Sequence, residues 1–501
     1  CMLSAPTEFA LGGGMANGIV WFRNDLRLDD HPALCAALDA GLAPVCVYIH
    51  APDEEGDWAP GAASNAWRHR SLAALDTELR RRGSRLRLFH GPTLPTLRTL
   101  VQTCEAEAVF WNRRYEPAVE ARDARIKRAL REDGIRADSH NGALLFEPWE
   151  VRTGQDGPYK VFTPFWRKAL TQWQPAAPWT APRSIADVAA GPAGVSLGDL
   201  RLTATPAWDA GFWPMWTPGE RGAHEALEVF EDGALRGYRA GRDRPDQAGT
   251  SRLSPHLHFG EIAPWRVVAA LASARNAANA PDIDAYVREL GWREFAYHLL
   301  HHFPNTPSED FNPKFARFAW ARRDARRIEA WRRGLTGVPI VDAGMRELWH
   351  LGWMHNRVRM IVGSWLCKHM RLHWTEGARW FWDTLVDADL ANNSLGWQWI
   401  GGTGADASPY FRIFNPVTQA EKFDPRGDYI ASWVPELADL PVPLRFAPWR
   451  DPDRLAAVAP HYPRTPIVGL EEGRDAALAA YRETQTHRGL RAGIRRGRTV
   501  G

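Results

Sequence analysis

Cysteine is scarce in this chain. Cys1, Cys35, Cys46, Cys104 and Cys367 are spread over 501 residues, and no C-x-x-C pair occurs. The odd count and long spacings speak against a disulfide framework and a cysteine-based zinc site, and they point to a reducing cytoplasm. No apolar run reaches bilayer length, so no membrane partner is expected. The opening "CMLSAPTEFALGGGMANG" lacks the charged-then-apolar order of a secretory signal. Residues 1–17 read as a disordered leader, with Met2 or Met15 as natural starts. Net charge is also lacking: the balance is only +3, which names no partner. Histidine pairs occur at His301–His302 and His369/His373 without a carboxylate-bearing zinc motif, so no metal site is expected.

What is abundant is tryptophan, with 25 residues. Most should fill core, yet several between Trp265 and Trp449 stand beside polar groups, which suits stacking or redox work as well. Hydrophobic content of 45% and charged content of 24% are those of a globular protein, and the length calls for at least two domains. "GIVWF", "APVCVYIH", "RLRLFHG" and "AEAVFWN" read as strands alternating with helical stretches. That pattern implies an α/β domain with a parallel, Rossmann-like sheet over residues 18–148. Residues 149–215 are rich in Pro, Gly, Ala and Trp and read as a long linker wrapped on the surface. Apolar spacing turns helical over residues 216–480, a large all-α domain. Residues 481–501 carry "THRGLRAGIRRGR" and read as a mobile basic tail.

Several short stretches carry chemistry. "GTSRLSP" (Gly249 to Pro255) offers hydroxyls, a guanidinium and backbone N–H groups at a helix start. It suits a phosphate, and equally a plain helix cap. Glu289, Trp292 and Arg293 share one helix face, fit either for a planar polar ligand or for a salt bridge beside a core indole. Asn356, Arg359 and Met360 share another. "DADLANNSLGWQW" (Asp387 to Trp399) packs acids, amides and indoles together. A deep carboxylate there needs a counter-ion, and Arg359 is the candidate for Asp387 or Asp389. Trp397 and Trp399, two apart on a helix, point about 200° from each other. "WARRDARRIEAWRR" (Trp320 to Arg333) and the arginines Arg242 and Arg244 suit a phosphate backbone or a solvated face.

Together these segments, with "IVWFRNDLRLDDHPAL", "TGVPIVDAGMRELWHLGWMHNRVRM" and "PYFRIFNPVTQAEKFDP", resemble the photolyase/cryptochrome family of flavoproteins. The likeness is greatest to bacterial photolyases that split cyclobutane pyrimidine dimers. It implies an α/β antenna domain and an all-α domain holding FAD. Tyr238, Thr250, Ser251, Arg252, Leu253, Ser254 and Tyr286 then belong to the FAD grip. Asp387, Ala388 and Asp389 lie beside the flavin and ribose, Arg359 pairs with the first acid, and Asn393 faces the flavin. Glu289 and Asn356 serve cofactor and substrate alike. Trp292, Arg293, Arg357, Met360, Trp399 and Arg412 complete the substrate side. Trp397, Trp374 and Trp320 match the chain of tryptophans that photoreduces the flavin. The implied partner is UV-damaged DNA, met by a monomer, with the damaged bases flipped out of the duplex. A second, antenna chromophore is expected, with methenyltetrahydrofolate favoured over a deazaflavin. Ala118 and Val119 replace the Asn–Glu grip of some relatives, which leaves Glu147 as another folate contact. A light sensor of the cryptochrome type and a (6-4) photolyase are the alternatives. The amide Asn393 and the histidine-poor "HNRVRM" favour dimer repair.

Overall fold

The structure, a computed structural model, describes residues 15–174, 178–407 and 411–496, with side chains of the last helix as far as residue 484. Most of the expected leader lies outside the described residues. The first element, β1 (Asn17–Phe22), is the centre of a parallel sheet. It pairs with β2 (Ala43–His50) on one side and β4 (Ala106–Asn112) on the other. The outer strands are β3 (Arg87–His90) and β5 (Arg136–His140), giving the order β3-β2-β1-β4-β5. The four expected strands are present. The fifth, "RADSH", was not expected, because an edge strand with only Ala137 buried carries almost no apolar signal.

Alternation along β1 explains the layering. Val20 and Phe22 enter one core with Leu34 and Leu72, from helices Pro32–Asp39 and Ala62–Arg81. Ile19 and Trp21 enter the opposite core with Leu97 and Ile126, from helices Thr93–Thr103 and Pro117–Glu132. At the carboxyl ends of such a sheet a ligand crevice is common. Here a buried polar network occupies it. The Arg23 guanidinium donates to Asp123 and to the Asn112 carbonyl, the Asn112 amide donates to Asp25 at 2.7 Å, and His31 stands 2.9 Å from Asp25.

The linker is more than a surface wrap. It contains the helix Phe162–Gln172, which buries Phe162, Phe165, Trp166 and Ala169. Phe162 stacks on Trp292 at 3.7 Å between ring centres. This amphipathic stretch was masked in the sequence by the prolines and glycines that follow it. The helical half runs from Glu220–Asp232 to a last helix, Leu470–Arg496, so the boundary placed at residue 481 falls inside a helix. "LEEGRDAALAAYRE" is a good helix former whose pattern simply continues into the basic segment. Among the described residues no helix is long and apolar enough to cross a membrane.

The halves are tied by backbone and buried polar bonds. Leu26 N–H donates to Phe259 at 3.0 Å, the fully buried Arg27 donates to the Gly260 carbonyl at 2.7 Å, and Trp67 Nε1–H donates to Glu261 at 2.9 Å. Near this seam Asp29, Glu220 and His224 form a polar cluster with donor atoms within 4.8 Å of one another. Both Glu220 oxygens accept backbone N–H bonds, from Leu28 and Asp29, and Asp29 accepts from Ala181. The cluster thus clasps the two halves and the linker together.

Candidate functional site

Three helices of the C-terminal half frame a cavity of about 460 Å³. Helix Ala280–His302 supplies Glu289, Trp292 and Arg293. Helix Asn356–Ser364 supplies Asn356, Arg357, Arg359 and Met360. The stretch Asp387 to Ile400, mostly helix Leu390–Gly401, supplies Asp387, Ala388, Asp389, Asn393, Trp397 and Trp399. Each helix sits where it does for local reasons. The His355 ring caps the second by accepting from Arg357 N–H. Asp389 caps the third by accepting from Asn392 N–H at 2.8 Å, and Gly402 closes it at φ +82, a conformation that favours glycine.

The acids divide the work. Asp387 is the ion-pair partner of Arg359, at 2.8 and 3.1 Å to one guanidinium nitrogen. Arg359 also donates to the Met354 carbonyl at 2.7 Å, which fixes its direction. Asp389 is a cap and anchor. It accepts from Asn392 and from the Tyr297 hydroxyl, and His258 stands 3.7 Å away. Burial pushes the Asp389 carboxyl up, but the bonds and charges of His258, Arg293 and Tyr297 outweigh it and hold it well below the usual carboxylate range. Asn393 donates its amide N–H to the Ala378 carbonyl at 3.0 Å, so the side chain reaches the cavity in one fixed orientation.

The indoles behave differently from their helical spacing alone. Trp397 and Trp399 both reach the cavity, although Trp397 is buried and Trp399 half-buried. Trp399 is steered by donating to the Asp406 carbonyl at 3.1 Å. Trp397 packs against helix Trp374–Thr384 at Gly377, where a Cβ would come within 2.0 Å of its ring. Trp374 lies one turn earlier on that helix and is fully buried. It donates to Asp310 at 2.8 Å. Trp320 is half-buried, with His373 between it and Trp374: ring centres are 5.0 Å from Trp320 and 5.4 Å from Trp374.

The other expected residues lie beside the cavity or line it with their charges engaged elsewhere. Tyr238 and Tyr286 pack at 5.3 Å, and Ser251 and Tyr286 share a hydroxyl bond of 2.9 Å. The loop Thr250 to Ser254 opens a helix of only five residues, Ser254–His258, with no side-chain cap. Arg252 takes a left-handed conformation, φ +54, and the Ser254 hydroxyl accepts from Trp353. Leu253 is core. Arg293 lines the cavity, but its guanidinium is spent on the carbonyls of Ala143 and Leu257. Arg357 pairs with Asp243 at 2.8 Å. Arg412 is exposed outside the cavity, at a small recess it shares with Trp399. Glu147 is buried and engaged by Arg113 and Tyr115.

Sequence reasoning missed Arg242 as a wall residue, where it pairs with Glu289. It missed Trp353, whose ring lies under both Arg252 and Arg359. It also missed Tyr297, His258 and Asp243, which hold wall residues from behind, and Asp310, which holds Trp374. Only Arg242 carried a signal, as one of the outward arginines of "GRDRP".

The cavity suits a large planar ligand with polar edges. Phe381, Leu385, Leu395 and Ile400 give it apolar walls, while Arg359, Asp387 and Asn393 give charge and amide groups. Gly396 also lines it, and a Cβ there would meet no atom within 4 Å, so the wall is left open at that point.

Comparison with known proteins agrees with this geometry. Residues 286–483 match the family described as the FAD binding domain of DNA photolyase, and residues 18–183 match that described as DNA photolyase. A deoxyribodipyrimidine photo-lyase of Agrobacterium fabrum is 47% identical over 92% of this chain and 97% of that protein. Cryptochrome-1 of Arabidopsis thaliana is 37% identical over 91% of this chain and 69% of that protein. The crystal structure of a bacterial class III photolyase from Agrobacterium tumefaciens superposes with a TM-score of 0.90, at 44% identity, over 96% of this chain and 100% of that one.

Proposed function

Because the chain belongs to the photolyase/cryptochrome family of flavoproteins, we propose that it is a deoxyribodipyrimidine photolyase that splits cyclobutane pyrimidine dimers in UV-damaged DNA. The observation that carries the reading is the composition of the cavity wall. Among the described residues that wall holds Asn393, the Arg359–Asp387 pair and apolar side chains, and no histidine. A (6-4) photolyase is expected to present histidines there. A sensor is expected to place an acid or another residue where Asn393 stands.

The residues fit FAD. Reduced flavin, when bound, supplies a light-excited one-electron donor whose electron opens the cyclobutane ring and returns. The chain does the rest. Arg359 offsets negative charge on the ring system, and Asn393 adds none of its own. Tyr238, Tyr286 and the loop Thr250 to Ser254 hold the phosphates. Glu289, Trp292, Asn356, Met360 and Trp399 receive the flipped dimer, stacking and excluding water. Arg242 in the cavity wall and the exposed Arg412 hold phosphates of the damaged strand, which makes binding fall with salt. Trp397, Trp374 and Trp320 carry electrons inward when the cofactor is oxidised. A folate antenna, a monomeric state and a cytoplasmic setting complete the proposal. Deazaflavin is the alternative antenna, and Glu147 is too fully engaged by Arg113 and Tyr115 to grip either one.

The test is direct. The chemically reduced protein is illuminated with a dimer-containing oligonucleotide while restored thymine absorbance is followed. Repair is expected. Tight binding of the lesion without repair would indicate a binding flavoprotein, and neither would indicate a sensor.

A further inference from the structure

Two indoles are candidates to pass an electron to Trp397, Trp331 beside it and Trp374 on the helix against which it packs, and the structure treats them oppositely. Trp331 is 6.4 Å away between ring centres, buried, and its Nε1–H has no hydrogen-bond partner among the described residues. Trp374 is equally buried, but its Nε1–H donates to the Asp310 carboxylate at 2.8 Å. Asp310 itself is almost fully enclosed, with a side chain 10% exposed. Trp397 has no hydrogen-bond partner for its own N–H among the described residues. A cationic indole is desolvated at Trp331 with nothing to compensate. At Trp374 it faces a charge-assisted hydrogen bond in a low-dielectric surround.

We propose that Asp310 is a positioning residue of the electron relay: its carboxylate draws the hole from Trp397 onto Trp374 and away from Trp331. The proposal rests on the relay reading of Trp397, Trp374 and Trp320. The balance is simple. Trp397 would give one electron to a bound, photoexcited oxidised flavin. One electron then leaves Trp374 to restore Trp397, and the Trp374 proton stays in its bond to Asp310. An electron from Trp320 restores Trp374 in turn, and an external thiol finally reduces Trp320. His373 does not cancel the Asp310 charge. Its Nε2 is 3.7 Å away, and burial lowers its basicity more than Asp310 and Glu376 raise it, so the ring is neutral at neutral pH. His373 is instead held by Thr375 at 2.8 Å, lying between the middle and outer indoles.

The experiment uses the flavin-loaded, oxidised protein and a light flash. It records the lifetime of the tryptophan radical-cation absorption and, with thiol present, the yield of flavin reduction. Asp310→Asn keeps a hydrogen-bond acceptor and removes the charge. It should shorten the radical lifetime by about tenfold, the scale of exchanging a charge-assisted for a neutral bond, with flavin content unchanged. Asp310→Glu restores the carboxylate and should stay within about threefold of the native lifetime. Asp310→Asn behaving like the native protein, while Trp397→Phe blocks photoreduction, overturns the role of Asp310 and leaves the relay standing. Normal photoreduction in Trp397→Phe overturns the relay itself. Should Asp310→Asn fail to fold, Asp310→Glu decides: a lifetime shortened tenfold despite the retained charge overturns the proposal.

Discussion

The contact between Gly377 and Trp397 makes a quantitative test of the cavity. A Cβ at position 377 would lie 2.0, 2.4 and 2.6 Å from Cη2, Cζ3 and Cζ2 of the indole. Carbon pairs settle near about 3.5 Å, so Gly377→Ala requires the ring to move by roughly 1.5 Å. Helix Trp374–Thr384 is anchored by buried Trp374 and Phe381 and will not yield easily. On its other sides the ring meets Phe381 at 4.9 Å and Trp331 at 6.4 Å between centres. The cavity that Trp397 lines offers room, so the ring swings into the space proposed for flavin. Overpacking costs about 1–3 kcal/mol, and alanine returns about 1 kcal/mol of helix propensity. The apoprotein therefore loses only about 0–2 kcal/mol, while cofactor retention falls about tenfold for each 1.4 kcal/mol of intrusion. The assay is flavin absorbance per protein, with urea melts of the apoprotein alongside. Adding Trp397→Phe to Gly377→Ala removes the intruding ring atoms and should restore flavin uptake, a coupling that a double-mutant cycle reads. Full flavin content in Gly377→Ala, with an unchanged urea midpoint, would refute this reasoning.

Two further outcomes follow from the buried charges. Arg359→Leu leaves Asp387, whose side chain is 4% exposed, without its counter-ion. Removing one partner of a buried pair costs about 3–5 kcal/mol, and the partial exposure of Arg359 reduces this to about 2, with FAD binding lost as well; equilibrium unfolding and flavin titration check it. Burial pushes Glu347 up to about 7, although Tyr429 at 2.6 Å and His355 N–H at 3.2 Å donate to it. The folded state then binds a proton more tightly than the unfolded state, so Glu347 costs nothing at acid pH and costs progressively more as pH rises through the interval from 4.5 to about 7. Glu347→Gln should flatten that slope and raise stability above about pH 8 by up to about 3 kcal/mol, with little change near pH 5; denaturant melts showing no gain on the alkaline side contradict it.

The fold was readable where burial has a period. β1, β2 and β4 are continuous apolar runs because both faces of a central strand are covered. β5 escaped because an edge strand needs only one apolar residue. The linker helix escaped because its four buried residues precede a proline-rich stretch that dominated the composition. The start expected for the basic tail, residue 481, falls inside the last helix because arginines are good helix formers, so charge does not mark a boundary.

The cavity wall was also readable, for a different reason. Most of its residues come from three segments in which polar and aromatic side chains recur at helical spacing, against what a plain core requires. The residues behind the wall carry no such mark. Asp310 is 64 positions from Trp374, Tyr297 is 92 from Asp389, and Asp243 is 114 from Arg357. Each is an ordinary residue in its own neighbourhood and acquires meaning only through a distant partner. These hidden partners decide the chemistry, since an indole on a carboxylate and an indole with an unpaired N–H are the same letter in the sequence. Sequence therefore names the groups that line the cavity, while the bonds behind them set which of two tryptophans can bear a charge.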